Sequence, residues 1–225
     1  MQQTIDDTQL KAQFRDFLGS KTDNEVGEIL MSFRQLQSYY QCAMLEIETK
    51  FRVLNEEFSL RYDRNPINNI HTRLKSALSI RDKLIRNNLP LTIESIENNL
   101  DDIAGIRIVC AFCEDVYDLE KALLQQDDIE LIRRKDYIQN PKENGYRSLH
   151  LIVSVPIFLS NQKRMTKVEV QIRTVAMDSW ASLEHQLRYK KDIDNSANIE
   201  NELLTCAELS RELDMRMNHL RKMIL

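Results

Sequence analysis

Residues 25–60 contain no proline and no glycine after Gly27. Apolar side chains recur through them at Ile29, Phe33, Leu36, Tyr40, Ala43, Ile47, Phe51 and Leu54. That spacing of three and four draws one face of a single long helix. The stripe needs a core to pack on, and the composition provides one. The 225-residue chain is 42% apolar and 29% charged, which excludes a disordered polymer. Gly and Pro number only four each, so collagen-like and low-complexity classes are excluded too.

Asn65-Pro66 ends the long helix, and Pro66 suits the first turn of a second one. That second helix is expected to reach about Asn87, before Asn88-Leu89-Pro90. Beyond it the pattern changes. Ile103–Phe112 is β-branched and mostly apolar, hence a strand, yet it contains Gly105 and Arg107. Residues 114–125 read as a helix and Ile129–Ile138 as a strand. Asn140–Gly145 reads as a loop. Tyr146–Val155 and Met165–Arg173 read as an antiparallel strand pair around a turn at 161–164. After Thr174 the chain returns to helix. From Ile199 onward, Leu203, Cys206, Leu209, Leu213, Met217, Leu220 and Ile224 continue a heptad-like seam. It suits either packing on its own domain or a subunit interface.

At ~100–200 residues per domain, the chain is read as one domain over residues 1–225. Its parts are a helical segment at 1–62, a core at about 65–191 and a C-terminal helix at 197–225. Residues 1–17 have no apolar stretch of the kind that opens a secretory signal. The longest apolar run, Leu149–Leu159, is far short of the ~20 residues that span a bilayer. A cytoplasmic protein without membrane association is expected, with free thiols at Cys42, Cys110, Cys113 and Cys206. Cys110 and Cys113 form a CxxC with no second pair, so core packing at a strand end is preferred to zinc.

Net charge is −4, but residues 131–190 carry 11 Lys and Arg against 5 Asp and Glu. A basic centre in an acidic chain suggests a compact polyanion site, not a nucleic-acid track. Four clusters offer chemistry. In the strand Lys167–Arg173, period two puts Lys167, Glu169, Gln171 and Arg173 on one face. Cations beside a carboxylate are what phosphate and Mg²⁺ binding require; a solvated face is the plain alternative. Asp101-Asp102 stand at the mouth of the strand containing Arg107, where Gly105 leaves room for a ligand or backbone; Asp102 also suits a turn. In Lys142–His150, Tyr146 can stack a flat base while Lys142, Arg147 and His150 meet phosphates; otherwise Tyr146 only packs. Finally, Lys75, Lys83 and Arg86 fall roughly on one helical face, with Arg73 nearly opposite Lys75; an ordinary solvated face also fits. No P-loop, no G-x-G-x-x-G and no G-x-S-x-G occurs.

Three segments in order, Asp102-Ile103-Ala104-Gly105-Ile106-Arg107, Gly145-Tyr146-Arg147-Ser148-Leu149-His150 and Glu169-Val170-Gln171-Ile172-Arg173-Thr174, resemble the synthetase domain of RelA/SpoT-type enzymes. The continuation from Ala176 to His185 is similar to the small, single-domain members, the small alarmone synthetases. The resemblance runs from about Asn65 to Lys191. It implies an α+β fold, a nucleotidyltransferase-like mixed β-sheet flanked by helices, with long N- and C-terminal helices. It implies a GTP pyrophosphokinase that moves the β,γ-pyrophosphate of ATP to the ribose 3′-OH of GDP or GTP, giving ppGpp or pppGpp and AMP, with Mg²⁺.

By the same resemblance, Asp102 and Glu169 hold Mg²⁺ and are catalytic, Glu169 accepting the 3′-OH proton. Arg73 and Arg107 sandwich the adenine, and Lys75 and Lys83 meet ATP phosphates. Tyr146 stacks guanine, Lys142 and His150 contact the acceptor's phosphates, and Gln171, Asp178 and Glu184 line the acceptor pocket. Arg173 is expected to brace Glu169 or a phosphate. A homotetramer through terminal helices is implied; RNA binding is not predicted.

Departures exist. Ser179 stands where many small members have Phe, and Asn69-Ile70-His71-Thr72 does not match the Phe-Val-Thr-Gly of members regulated by pppGpp in a central cleft. Arg133-Arg134-Lys135-Asp136 fits the basic variant of a family motif. With no His-Asp hydrolase region in the sequence, synthesis without alarmone breakdown is expected. The alternatives are the same transfer to tRNA or adenine nucleotides, or a catalytically silent nucleotide- or RNA-binding regulator.

Overall fold

A computed structural model describes residues 23–62, 64–189 and 196–224. Residues 1–22 of the expected N-terminal segment and 190–191 at the edge of the expected core lie outside the described residues. Helix α1, Asp23–Tyr62, is the long helix of the periodicity. Phe33, Leu36, Tyr40, Ala43, Ile47, Phe51 and Leu54 are all buried along it. Its partner is one five-stranded sheet.

The strands are β1 (Ile67–Leu74), β2 (Ala104–Cys110), β3 (Glu130–Asp136), β4 (Leu149–Phe158) and β5 (Lys163–Thr174). They lie in the order β1-β2-β5-β4-β3. β2 and β5 are parallel, and every other neighbouring pair is antiparallel. Helices α2 (Ala77–Arg86), α3 (Ile93–Asn99), α4 (Cys113–Leu124), α5 (Val175–Tyr189) and α6 (Ser196–Ile224) complete an α+β architecture. On the three central strands, Ile106, Ile108, Leu151, Val153, Val168, Val170 and Ile172 are buried in one cluster with the α1 stripe. Alternation sends the polar residues of those strands to the opposite face. Pro156 sits in β4 beyond Ser154, where pairing with β3 begins, so no bond to β3 is lost to it. No helix of the described residues is long and apolar enough to cross a membrane.

The expected helix from Pro66 to Asn87 is two elements. Ile67–Leu74 pairs with β2 along its length, and the Pro66 carbonyl accepts from the Ala111 amide at 3.1 Å instead of opening a helix. Asn, Ile, His and Thr are weak helix formers, so the cross-strand bonds prevail. The helix starts only after Ser76, whose side chain accepts from the Ser79 amide at 3.3 Å as an N-cap. Arg73 therefore does not lie opposite Lys75, because period two turns both to one side. Tyr146–Ser148, expected as the start of a strand, form a loop tied by the Lys142 amide to the Tyr146 carbonyl at 3.1 Å. A short helix, α3, stands between α2 and β2 where the sequence predicts none; its N-cap Thr92 accepts from the Ser95 amide at 3.1 Å.

On α6 the seam beyond Leu203 does not pack on its own domain. Leu203 is buried, but Leu209, Leu213, Met217, Leu220 and Ile224 are 45% to 80% exposed. The inward face is instead Leu203, Ala207 and Asp214.

Candidate active site

The polar face of the sheet carries two rows. Arg73, Gly105 and Glu169 stand abreast on β1, β2 and β5. His71, Arg107, Gln171, His150 and Lys135 form the next row, on all five strands. A Cβ at Gly105 would make only an ordinary contact, 3.6 Å from the Arg73 carbonyl oxygen. The glycine thus leaves open floor between Arg73 and Glu169. Over it lies a hollow of about 510 Å³ lined by Arg73, Lys75, Asp102, Arg107, Glu169 and Gln171, and also by His71.

Asp102, just before β2, binds two ammonium groups, Lys75 Nζ at 2.5 Å and Lys83 Nζ at 2.7 Å. Burial pushes its carboxyl up, but the hydrogen bonds and charges of the two lysines outweigh this and hold it below the usual range. Both lysines meet the same oxygen. The other, Oδ1, is buried without a hydrogen-bond partner, a cost that a ligand would remove. Burial also opposes ionisation of Glu169, and the hydrogen bond and charge of His150, with a bond from Gln171, prevail and lower it. Asp102 pushes the other way by charge.

From Glu169 a chain of polar contacts leads across the sheet. His150 Nδ1 is 3.3 Å from Glu169 Oε1, and His150 Nε2 is 2.8 Å from the Tyr146 hydroxyl. Arg173 Nη2 donates to that hydroxyl at 2.5 Å and to Gln171 Oε1 at 2.9 Å. Arg173 Nη1 reaches Asp178 at 3.1 Å, and Arg107 reaches the same carboxylate at 3.2 Å. Arg173 therefore braces Tyr146, Gln171 and Asp178, not Glu169, because it lies two pleats along β5. Arg107 Nε is buried and unpartnered. Lys142 Nζ lies 4.8 Å from the Tyr146 ring centroid and 4.7 Å from that of Tyr137, and Arg173 lies 5.0 Å from the Tyr146 centroid. Tyr137 meets the Tyr146 ring edge-on at 6.0 Å.

Eleven of the twelve expected site residues thus join one continuous polar surface. Glu184 stands apart: it accepts from Asn144 Nδ2 at 3.2 Å and lines a second hollow of about 770 Å³ with Lys142, Leu203 and Leu204. Sequence reasoning missed His71 and Tyr137. His71 shares the period-two face of Arg73, a signal hidden while the segment was read as helix. Of the basic run, Arg133 pairs with Asp101 at 3.0 Å, whereas Arg134 turns away to Glu120 at 2.6 Å.

Two carboxylates and no third side chain suit a cation that keeps water and substrate oxygens in its shell, as Mg²⁺ does. Among the described residues no group of three or more His, Cys, Asp or Glu could hold a metal alone. The unpaired Asp102 Oδ1 fits such an ion. A hollow with cations around two carboxylates, beside an aromatic flanked by cations, can hold a polyphosphate and a base together.

Comparison with known proteins agrees. A family described as a region found in RelA / SpoT proteins matches residues 72–194. GTP pyrophosphokinase YwaC of Bacillus subtilis is 42% identical over 183 residues, covering 81% of this chain and 87% of that protein. GTP pyrophosphokinase YjbM of the same organism is 34% identical over 182 residues, covering 81% and 85%. The crystal structure of small alarmone synthetase 2 from Bacillus subtilis superposes with a TM-score of 0.76 at 39% identity, covering 84% of this chain and 98% of that one. That of small alarmone synthetase 1 from Bacillus subtilis bound to its product pppGpp gives 0.77 at 32% identity, covering 86% and 98%.

Proposed function

The chain belongs to the RelA/SpoT family, among its small alarmone synthetases, and we propose on that premise that it is a GTP pyrophosphokinase making ppGpp or pppGpp from ATP and GDP or GTP. The observation that carries the chemistry is that Asp102 and Glu169 line one hollow and that a chain of polar contacts leads from Glu169 through His150 to the Tyr146 loop.

The ribose 3′-oxygen of the acceptor attacks the β-phosphorus of ATP. A new O–P bond forms, the bond from that phosphorus to the α,β-bridging oxygen breaks, and AMP leaves with the electron pair. Glu169 takes the 3′-OH proton. Its carboxylate is ionised at neutral pH and so has a lone pair to accept with. Lys75 and Lys83 stand where charge builds on the phosphates, and Arg73 and Arg107 hold the adenine from β1 and β2. Tyr146 offers its ring to guanine, with Lys142 and His150 beside it for the acceptor's phosphates. Gln171 and Asp178 complete the acceptor side. Asp102 and Glu169 would hold Mg²⁺, which supplies positive charge against the phosphate oxygens.

The exposed apolar seam of α6 supports a homotetramer, and four free cysteines suit the reducing cytoplasm. The test is a product assay. Purified protein is incubated with Mg²⁺, γ-labelled ATP and, separately, GDP, GTP, AMP or deacylated tRNA. Label on guanosine tetra- or pentaphosphate with equimolar AMP is expected; label only on tRNA or an adenine nucleotide overturns the acceptor, and no transfer overturns the enzyme.

A further inference from the structure

We infer that Asp214 of α6 is a positioning residue for the acceptor loop, acting through Arg147, so that the C-terminal helix is part of the acceptor half-site. The inference rests on reading Tyr146 and His150 as acceptor contacts.

Arg147 and Asp214 are both buried, 6% and 7% exposed. Arg147 Nη2 donates to Asp214 Oδ2 at 2.8 Å and lies 3.4 Å from Ser210 Oγ. A buried pair is weak ground for stability, because two charges must be desolvated to form it, so its use is sought in what it orients. Arg147 is flanked by residues of the site. Before it, the Tyr146 hydroxyl meets His150 and Arg173; after it, Ser148 Oγ accepts from Arg173 Nε at 3.4 Å. The loop therefore has one grip on the sheet and one on the helix, in adjacent residues.

Gly145 makes the same connection sterically. Its φ is +85°, and a Cβ there would lie 2.4 Å from the Ala207 Cβ and 3.3 Å from Leu204 Cδ1. Only a glycine lets the backbone lie this close to α6. The helix is itself held, since Trp180 Nε1 donates to the Leu203 carbonyl at 2.9 Å. The ATP side is built differently. Lys75 and Lys83 are fixed by Asp102, and Arg73 stands on β1. Loosening α6 should therefore harm one substrate and spare the other.

The test joins kinetics with hydrogen exchange on the full chain. Asp214→Asn should raise the KM for GDP or GTP about tenfold or more, a misplaced loop being costly. The KM for ATP should stay within about twofold. Exchange of the 142–150 amides should rise while that of β1 and β2 does not. Asp214→Glu keeps the charge and displaces the carboxylate; it should give the same split in smaller measure, and it serves if the Asn variant does not fold. Equal rises in both KM values, or unchanged exchange in the loop, would overturn the inference. Absence of transfer by the unaltered chain would sink the functional reading instead, and the exchange arm would still decide the coupling.

Discussion

His150 Nδ1 lies 3.3 Å from the Glu169 carboxylate. On the far side of the ring, His150 Nε2 lies 2.8 Å from the Tyr146 hydroxyl. The imidazole thus links the proposed proton acceptor on β5 with the ring proposed to hold the acceptor base. Its position also keeps the Glu169 carboxyl ionised despite burial.

Glu169→Gln keeps the shape and removes the charge. Turnover should fall by ~10²–10⁴-fold, the range of a lost general base, with the melting temperature near that of the unaltered chain. Labelled-product initial rates beside a thermal melt decide it. Near-normal turnover in a folded variant would remove Glu169 from proton transfer.

Tyr146→Phe keeps the ring and loses the hydroxyl that meets His150 and Arg173. Tyr146→Ala loses both. The acceptor KM should rise about tenfold in the first, by the scale of one charge-assisted hydrogen bond, and further in the second. The KM for ATP should hardly move. An equal effect of the two variants would mean that the ring contributes nothing to acceptor binding.

Arg64 Nη2 and Nη1 hold Asp115 at 2.5 and 2.9 Å, and Arg221 adds a contact at 3.2 Å. Asp115 is 1% exposed. Stripping a buried carboxylate of its partners costs ~3–5 kcal/mol, and with Arg221 still present Arg64→Ala should cost about 2–3 kcal/mol. The urea midpoint reads this directly; an unchanged midpoint would show that Arg221 and the Phe112 amide suffice for Asp115.

Burial, reinforced by the charge of Glu97, raises the Tyr40 phenol to about 12 from an ordinary 10.0. Between pH 10 and 12 the unfolded chain gives up a proton that the folded chain keeps. Folding therefore weakens as pH rises through that window, and its contribution is complete below it. Urea unfolding at pH 9 and 11 should show the loss. Tyr40→Phe should reduce it, and an unaltered pH dependence in that variant would exclude Tyr40 as its source.

Much of this arrangement is legible in the residues. Helix α1 follows from its stripe, and β5 from the alternation of Val168, Val170 and Ile172 with charged neighbours. Strand β1 is not legible because nothing in Ile67–Leu74 marks it; its ladder is completed by Ala104–Cys110, thirty-odd residues on. With β1 misread, Arg73 and Lys75 lose their common face and His71 its place. Arg173 is expected to brace Glu169 or a phosphate, whereas its partners Tyr146 and Asp178 come from a loop and a helix that meet only in three dimensions. Glu184 follows the helix past Asp178 and ends beside Asn144, a packing outcome that no spacing rule contains.

The central strand of the sheet is the last of the five to be synthesised. While the ribosome is still making residues 163–174, β2 has β1 beside it and β4 has β3, but nothing joins the two pairs, because β2 and β4 both border β5. Asp102 and Glu169 cannot meet until that strand inserts. A chain that ends before β5 therefore never brings the two carboxylates to one hollow. Such a central, non-local closure is also the slow kind of step in folding.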